Sequence, residues 1–198
     1  DLLLFRKAVT GGSSLPRYSG MMHSEKSKES LLFMADYIAG MKDERAASVM
    51  KAYFYGFLCH YCLDRVAHPF VFCKEQKLLD EKSEFGGPTA LHCLTEAQID
   101  IALYRRMMGK SVLRFPLTKE YCLDPLLESE TAKMLVALLK EVYGVETSEK
   151  EIEKSFHDAL KLTRLFYDPT GIVKGLAVAV ERIAGKKGVL SSHFKRCK

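Results

Sequence analysis

The residues most able to do chemistry fall in one stretch of the chain. His60, Asp64 and His68 stand four apart within Gly56-Phe57-Leu58-Cys59-His60-Tyr61-Cys62-Leu63-Asp64-Arg65-Val66-Ala67-His68-Pro69, and His92 and Glu96 repeat the spacing, with Asp100 extending that second row. Imidazole nitrogen and carboxylate oxygen are the usual donors to zinc and similar divalent ions. A carboxylate beside such an ion also orients a ligand or takes a proton, which makes Asp64 and Asp100 the candidate catalytic residues, although Asp100 reads equally well as an exposed helix carboxylate.

Donors of this kind need rigid elements to hold them. On an α-helix a step of four residues advances about 40° around the axis and roughly 6 Å along it, so each row lies on one face. The competing reading is a set of exposed ion pairs worth only tenths of a kcal/mol. Two arguments favour a metal. The first row is embedded among Phe54, Phe57, Leu58, Leu63, Val66 and Phe70, which predicts a largely buried helix. Burying carboxylates and imidazoles without a cation is costly. A metal-free His/Asp catalyst would lack its nucleophile: no GxSxG elbow occurs, and Cys59 and Cys62 point away from the His60 face.

The elements that must position these rows read as helices throughout, because apolar residues recur three and four apart and Val/Ile/Thr alternation is almost absent. Ser24 or Ser27 is expected to cap a helix to about Met41, with Leu31, Leu32, Met34, Ala35 and Ile38 inward. Asp43 caps the next, which carries the first row to His68, where Pro69 ends or kinks it. Residues 74–88 are polar, close on Gly86-Gly87-Pro88 and read as a loop; Thr89 then caps a helix to about Met108. An irregular stretch spans 109–124. Helices follow over Pro125–Tyr143, Ser148–Tyr167 and Thr170–Ala184, the second opened by a capping box of Ser148 and Glu151. The expectation is an all-α, single-domain bundle of about six helices over 1–198. Its metal-site half is about 1–108, its C-terminal helices about 125–184, and its basic tail 185–198.

At 198 residues, with 47% hydrophobic and 28% charged side chains, the composition is that of an ordinary globular domain. No apolar run reaches the roughly 18 residues of a membrane span. The chain opens on Asp1, and Leu2-Leu3-Leu4-Phe5 before Arg6-Lys7 is too short for a signal-peptide core, so an upstream segment is expected and targeting is not legible. The six cysteines (Cys59, Cys62, Cys73, Cys93, Cys122, Cys197) read as reduced thiols, most of them small core residues, which favours the cytoplasm. Cys59 and Cys62 form a lone CxxC without the second pair of a zinc ribbon. From Thr170 onward seven basic residues face one acidic residue, Glu181. That end would attract a phosphate-bearing substrate or make transient contact with an anionic membrane surface, or else is a solvated face. No aromatic interleaving supports nucleic-acid binding. Tyr53, Tyr55, Tyr61 and Phe70 either line a substrate cleft or, as helical spacing favours, belong to the core, and His193 needs no role.

The run GFLCHYCLDRVAHPF followed by His92-x-x-x-Glu96 resembles the zinc-dependent phospholipase C family of bacteria, whose helical fold is shared with the S1/P1-type nucleases. The family's elements are an early Gly-Pro-Asp, a later His, an HxxxDxxxHP helix and an HxxxE helix. Asp1 would be the Asp of the first and His23 the second, so the resemblance covers about residues 1–105. It implies that Asp1, His23, His60 and Asp64 hold one zinc, and His68, His92 and Glu96 another. Better-known members bind a third zinc through an amino-terminal Trp and an early His. This chain has no Trp, so two zinc ions are expected.

The implied chemistry is hydrolysis of a phosphodiester or phosphate ester, a phospholipid among the possible substrates, with metal-bound hydroxide as nucleophile. Two divalent ions offset by Asp1, Asp64 and Glu96 leave about one positive charge for an anionic ligand. Two other readings stand beside this one. His157-Asp158 supplies the doublet of an HD-type metal-dependent phosphohydrolase, and a closed four-donor sphere would instead mark structural zinc in a non-enzymatic module. Oligomeric state is not legible.

Overall fold

The computed structural model describes residues 15–81, 86–114 and 124–194. Among them every regular element is helical, as expected for an all-α chain. In chain order these are α1 (Leu15–Ser24), α2 (Ser27–Ala39), α3 (Glu44–Asp80), α4 (Pro88–Met108), α5 (Pro125–Tyr143), α6 (Glu149–Phe166) and α7 (Ile172–Ile183), with 3-10 turns at Val112–Arg114 and Ser191–His193. The first helix was not anticipated, although Leu15, Ser19 and Met22, all buried, have helical spacing. The described residues fall into two compact units, one within Asp1–Leu63 and Tyr121–Leu162, the other within Asp64–Glu120 and Thr163–Lys198.

The first unit owns a continuous apolar core. Leu15 and Met22 of α1, Met34 and Ile38 of α2, Met50 of α3, Met134, Leu135, Leu138 and Leu139 of α5, and Ile152 and Phe156 of α6 pack together, with Tyr53, Phe54 and Phe57 against them. Helix α5 supplies the largest share of this because its apolar residues recur at three and four. Its ends match the sequence expectation closely. Asp124 caps the first turn by accepting from the Leu126 and Leu127 N–H groups, and Gly144, with φ of 67°, closes the last. Two long-range hydrogen bonds tie α5 to the start of α2: Lys26 Nζ donates to the Val142 carbonyl at 2.7 Å, and Ser30 Oγ lies 2.9 Å from Tyr143 Oη.

Several local expectations are corrected. Neither serine caps α2. Ser24 instead donates back to the Gly20 carbonyl inside α1, and Lys26 precedes α2 without a side-chain capping bond. Leu32 is exposed, since the inward stripe of α2 is Ser30, Met34 and Ile38, and Leu32 projects from the opposite side. Asp43 does cap α3, accepting from the Arg45 and Ala46 N–H groups.

Pro69 does not end α3, which runs on to Asp80. The missing proline N–H strands the Arg65 carbonyl, but both residues are exposed, where water can satisfy it. Beyond the proline, Val71 is fully buried and Glu75, Leu78 and Leu79 are half-buried, an inward stripe hidden in a stretch whose polar composition reads as loop. The predicted burial of this helix also fails on its outer face. Tyr55, Leu63, Val66 and Phe70 are exposed, and so are Cys59, Cys62 and Cys73. The inner face is taken by the His60-Asp64-His68 row, so the cysteines share the outer face with the apolar residues. Of the aromatics expected in the core, Tyr53 and not Tyr55 or Phe70 is there, and burial pushes its hydroxyl far up from the usual tyrosine value.

In the second unit the chain is held by polar ties as much as by apolar packing. Gly86 has φ of 106°, and a Cβ there would lie 2.2 Å from the Lys187 carbonyl oxygen, so only glycine fits. Asp168 is buried and accepts from Thr170 Oγ1 and from the N–H groups of Gly171 and Lys174, which organises the entry to α7. Glu181, buried on α7, accepts from the N–H groups of Gly188, Leu190 and Ser191 and from the Ser191 hydroxyl.

Burial alone would raise the Glu181 carboxyl, but these donors outweigh it and hold the group below its ordinary value of 4.5. A depressed carboxylate contributes stability above its unfolded value and loses it as pH falls through the folded one. The wild type's thermal stability, read as its Tm, is therefore expected to fall as pH drops below the ordinary carboxylate value and through the lowered one. Glu181→Leu, which orphans the same donors at every pH, is expected to cost about 2–4 kcal/mol in urea unfolding near neutrality.

Candidate metal centre

The inner face of α3 sets the geometry. Ala46, Met50 and Val71 are its buried apolar positions, and between Met50 and Val71 the same face turns polar with His60, Asp64 and His68. The row is flanked by aromatic rings that fix the imidazoles. His23, near the end of α1, stacks on Phe57 with ring centroids 5.8 Å apart and meets His60 edge-on at 5.1 Å and 90°. His23 Nδ1 and His60 Nε2 are both shielded from solvent. Phe72, one turn beyond His68, lies 5.3 Å from the rings of both His68 and His92.

The candidate ligands come together in two groups. His23, His60 and Asp64 each offer a donor atom within 4.8 Å of the others, and so do His68, His92 and Glu96. The second group has a shared centre. One Glu96 oxygen, Oε1, lies 3.4 Å from His68 Nε2 and 3.3 Å from His92 Nε2. A tetrahedron with zinc bonds of about 2.0 Å has an edge of roughly 3.3 Å, so these separations suit one ion between the three atoms. Two ring nitrogens aimed at one carboxylate oxygen also require a cation or protons between them. On the α3 face Asp64 Oδ1 lies 3.8 Å from His68 Nε2, so Asp64 adjoins a member of the second group as well.

Glu75 was missed in the sequence. Its Oε2 lies 3.1 Å from His92 Nδ1, and both side chains are mostly buried. A carboxylate partner at Nδ1 favours the tautomer with hydrogen on that nitrogen, which turns Nε2 toward His68 and Glu96 as the metal-binding atom. Glu75 follows His68 by seven residues, two turns along the same face. Carrying α3 through Pro69 would have found it.

The other candidates lie elsewhere. Asp100 is exposed, one turn beyond Glu96, and belongs to neither group. Asp1 lies outside the described residues. In the His157-Asp158 doublet, Asp158 is buried while His157 is exposed and pairs with Glu128 at 2.8 Å; neither joins a metal-holding group among the described residues. His193 is more than a tail residue. Its ring stacks on Phe166 at 5.2 Å, and burial lowers its imidazole below the usual value against the opposing charges of Glu96 and Glu181. Burial, with the Glu96 charge adding to it, raises the Cys93 thiol above its ordinary value.

An all-α scaffold whose helices present two groups of imidazole and carboxylate donors has the arrangement of a helical metalloprotein. The model of the zinc-dependent phospholipase C family matches residues 2–163, and the chain belongs to that family. It is accordingly a zinc-dependent hydrolase of the phosphoester-cleaving kind. The match takes in every member of both donor groups and stops short of α7. Comparison with curated proteins and with solved structures gave no match.

Proposed function

We propose that this chain hydrolyses a phosphodiester of phospholipid headgroup type at a centre of two zinc ions. One ion is held by His23, His60 and Asp64 with Asp1, the other by His68, His92 and Glu96. The observation that carries the reading is the convergence of His68 Nε2 and His92 Nε2 on Glu96 Oε1 at 3.4 and 3.3 Å. Zinc, when bound, polarises a phosphoryl oxygen and lowers the pKa of water toward about 7.

The chain's own residues hold and aim. Glu75 fixes the His92 tautomer, Phe72 packs both imidazoles of the second group, and Asp64 lies close to His68. Of the two candidate proton acceptors, Asp64 is the better placed, because Asp100 is exposed and outside both groups. Glu75 also changes the charge count. With Asp1, Asp64 and Glu96 it offsets two divalent ions, so an anionic ester is drawn by direct coordination rather than by excess positive charge. The side chain of Glu96 is 45% exposed, which leaves the second group open to a ligand. A closed structural site would shield it.

The test is a hydrolysis panel on the zinc-loaded protein: a chromogenic phosphocholine diester, phosphatidylcholine, a mononucleotide and a dinucleotide. Cleavage of the phosphocholine diesters, abolished by a chelator and restored by zinc, is expected. A protein that carries zinc and cleaves none of the four would make the metal structural.

A further inference from the structure

Helix α7 is turned inside out. Ile172, Leu176, Val180 and Ile183 stand at intervals of four, four and three, so they form one stripe, and they are 66%, 63%, 58% and 89% exposed. Ala179, on the same stripe, is exposed too. The side turned to the protein holds the charged residue instead. Glu181 is buried there and engaged by the 188–191 segment. A water-facing helix ordinarily shows the reverse pattern, and an exposed apolar stripe of this length marks a surface that another phase covers.

The charge around the stripe says which. Glu181 is the one acidic residue from Thr170 to the end of the chain, and its carboxylate is sequestered. What remains at the surface is basic: Arg182 beside Ile183, then Lys186 and Lys187 just past the end of the helix, all exposed. With 12 residues, α7 is too short to cross a bilayer, and no described helix is long and apolar enough to do so. A short helix with an aliphatic face and a basic rim is suited to lie in the plane of a membrane interface.

We propose that α7 docks the protein on an anionic lipid bilayer, the Ile172-Leu176-Val180-Ile183 stripe entering the acyl boundary and Arg182, Lys186 and Lys187 meeting lipid phosphates. Docking does not depend on the zinc chemistry, since binding is measured without turnover. The helix lies beyond the part of the chain that the family match covers, so this surface is a property of this chain's own C-terminal segment.

The experiment is co-sedimentation of the full chain with vesicles of phosphatidylcholine alone or mixed with phosphatidylglycerol. Tighter binding to the mixed vesicles is expected, weakening as salt is raised. Leu176→Ser with Ile183→Ser removes exposed side chains, so the fold is retained by circular dichroism while affinity for the mixed vesicles falls at least about tenfold. Lys186→Glu with Lys187→Glu is a second route should the serine pair unfold, and lowers that affinity by about fivefold per residue with little change on phosphatidylcholine. The proposal is overturned by absence of binding to mixed vesicles, or by binding that neither pair alters. It is equally overturned if the wild type binds no vesicle and forms a dimer that Leu176→Ser with Ile183→Ser dissociates, which would make a second copy the occupant.

Discussion

Replacing His92 with alanine is expected to remove one of two zinc ions per chain and to lower phosphodiester hydrolysis by on the order of 10³-fold. The rate estimate follows from the several kcal/mol that a metal supplies to a phosphoryl transition state. His92 is the hinge of its group. Its Nε2 faces the same Glu96 oxygen that His68 approaches, and its Nδ1 is bound by Glu75. Losing it leaves two donors where zinc needs at least three. His60→Ala is expected to remove the other ion and leave the second group loaded, because His60 belongs to the group of His23 and Asp64. Elemental analysis of the purified variants measures both. Unchanged zinc content in both would sink the assignment, whatever happened to the rate.

Glu75 should show the next largest effect, although it joins neither donor group. A carboxylate behind a metal-binding imidazole fixes the ring and raises its basicity, and removing one typically costs 10–100-fold in metal affinity or activity. Glu75→Leu is therefore expected to weaken zinc binding by about that range. Glu75→Gln keeps an oxygen to accept from His92 Nδ1 but loses the charge, and should fall between the wild type and the leucine variant. A general packing defect would not rank the two in that order. Zinc titration against a competing chelator, with unfolding curves for each variant, reads the difference. Equal zinc affinity in Glu75→Leu and wild type would show that Glu75 merely fills space.

What was legible in the sequence came from periodicity and local chemistry. Helix α5 spans the expected residues 125–143, and the structure shows why such bounds are local: Asp124 caps the start and Gly144 closes the end within a few residues. The His60-Asp64-His68 and His92-Glu96 rows were legible for the same reason, since a four-residue step on a helix is a local geometric fact. Where a local rule met a tertiary one, the local rule lost. Pro69 and the polar run after it read as the end of a helix, and α3 continues because Val71 has a buried place to go. Glu75, on the extension that this permits, was therefore out of reach. The outer face of α3 misled in the other direction: Val66, at 80% exposure, has core composition without core placement.

By itself, then, the sequence determined the all-α class, most helix bounds and the candidate donor rows, because caps, breakers and helical spacing act over one or two turns. Only the tertiary structure decided which carboxylate steadies His92 and which apolar stripes face outward. Those outcomes depend on contacts between residues apart in the chain, as with Glu75 against His92, and composition carries no record of which face a neighbour will cover.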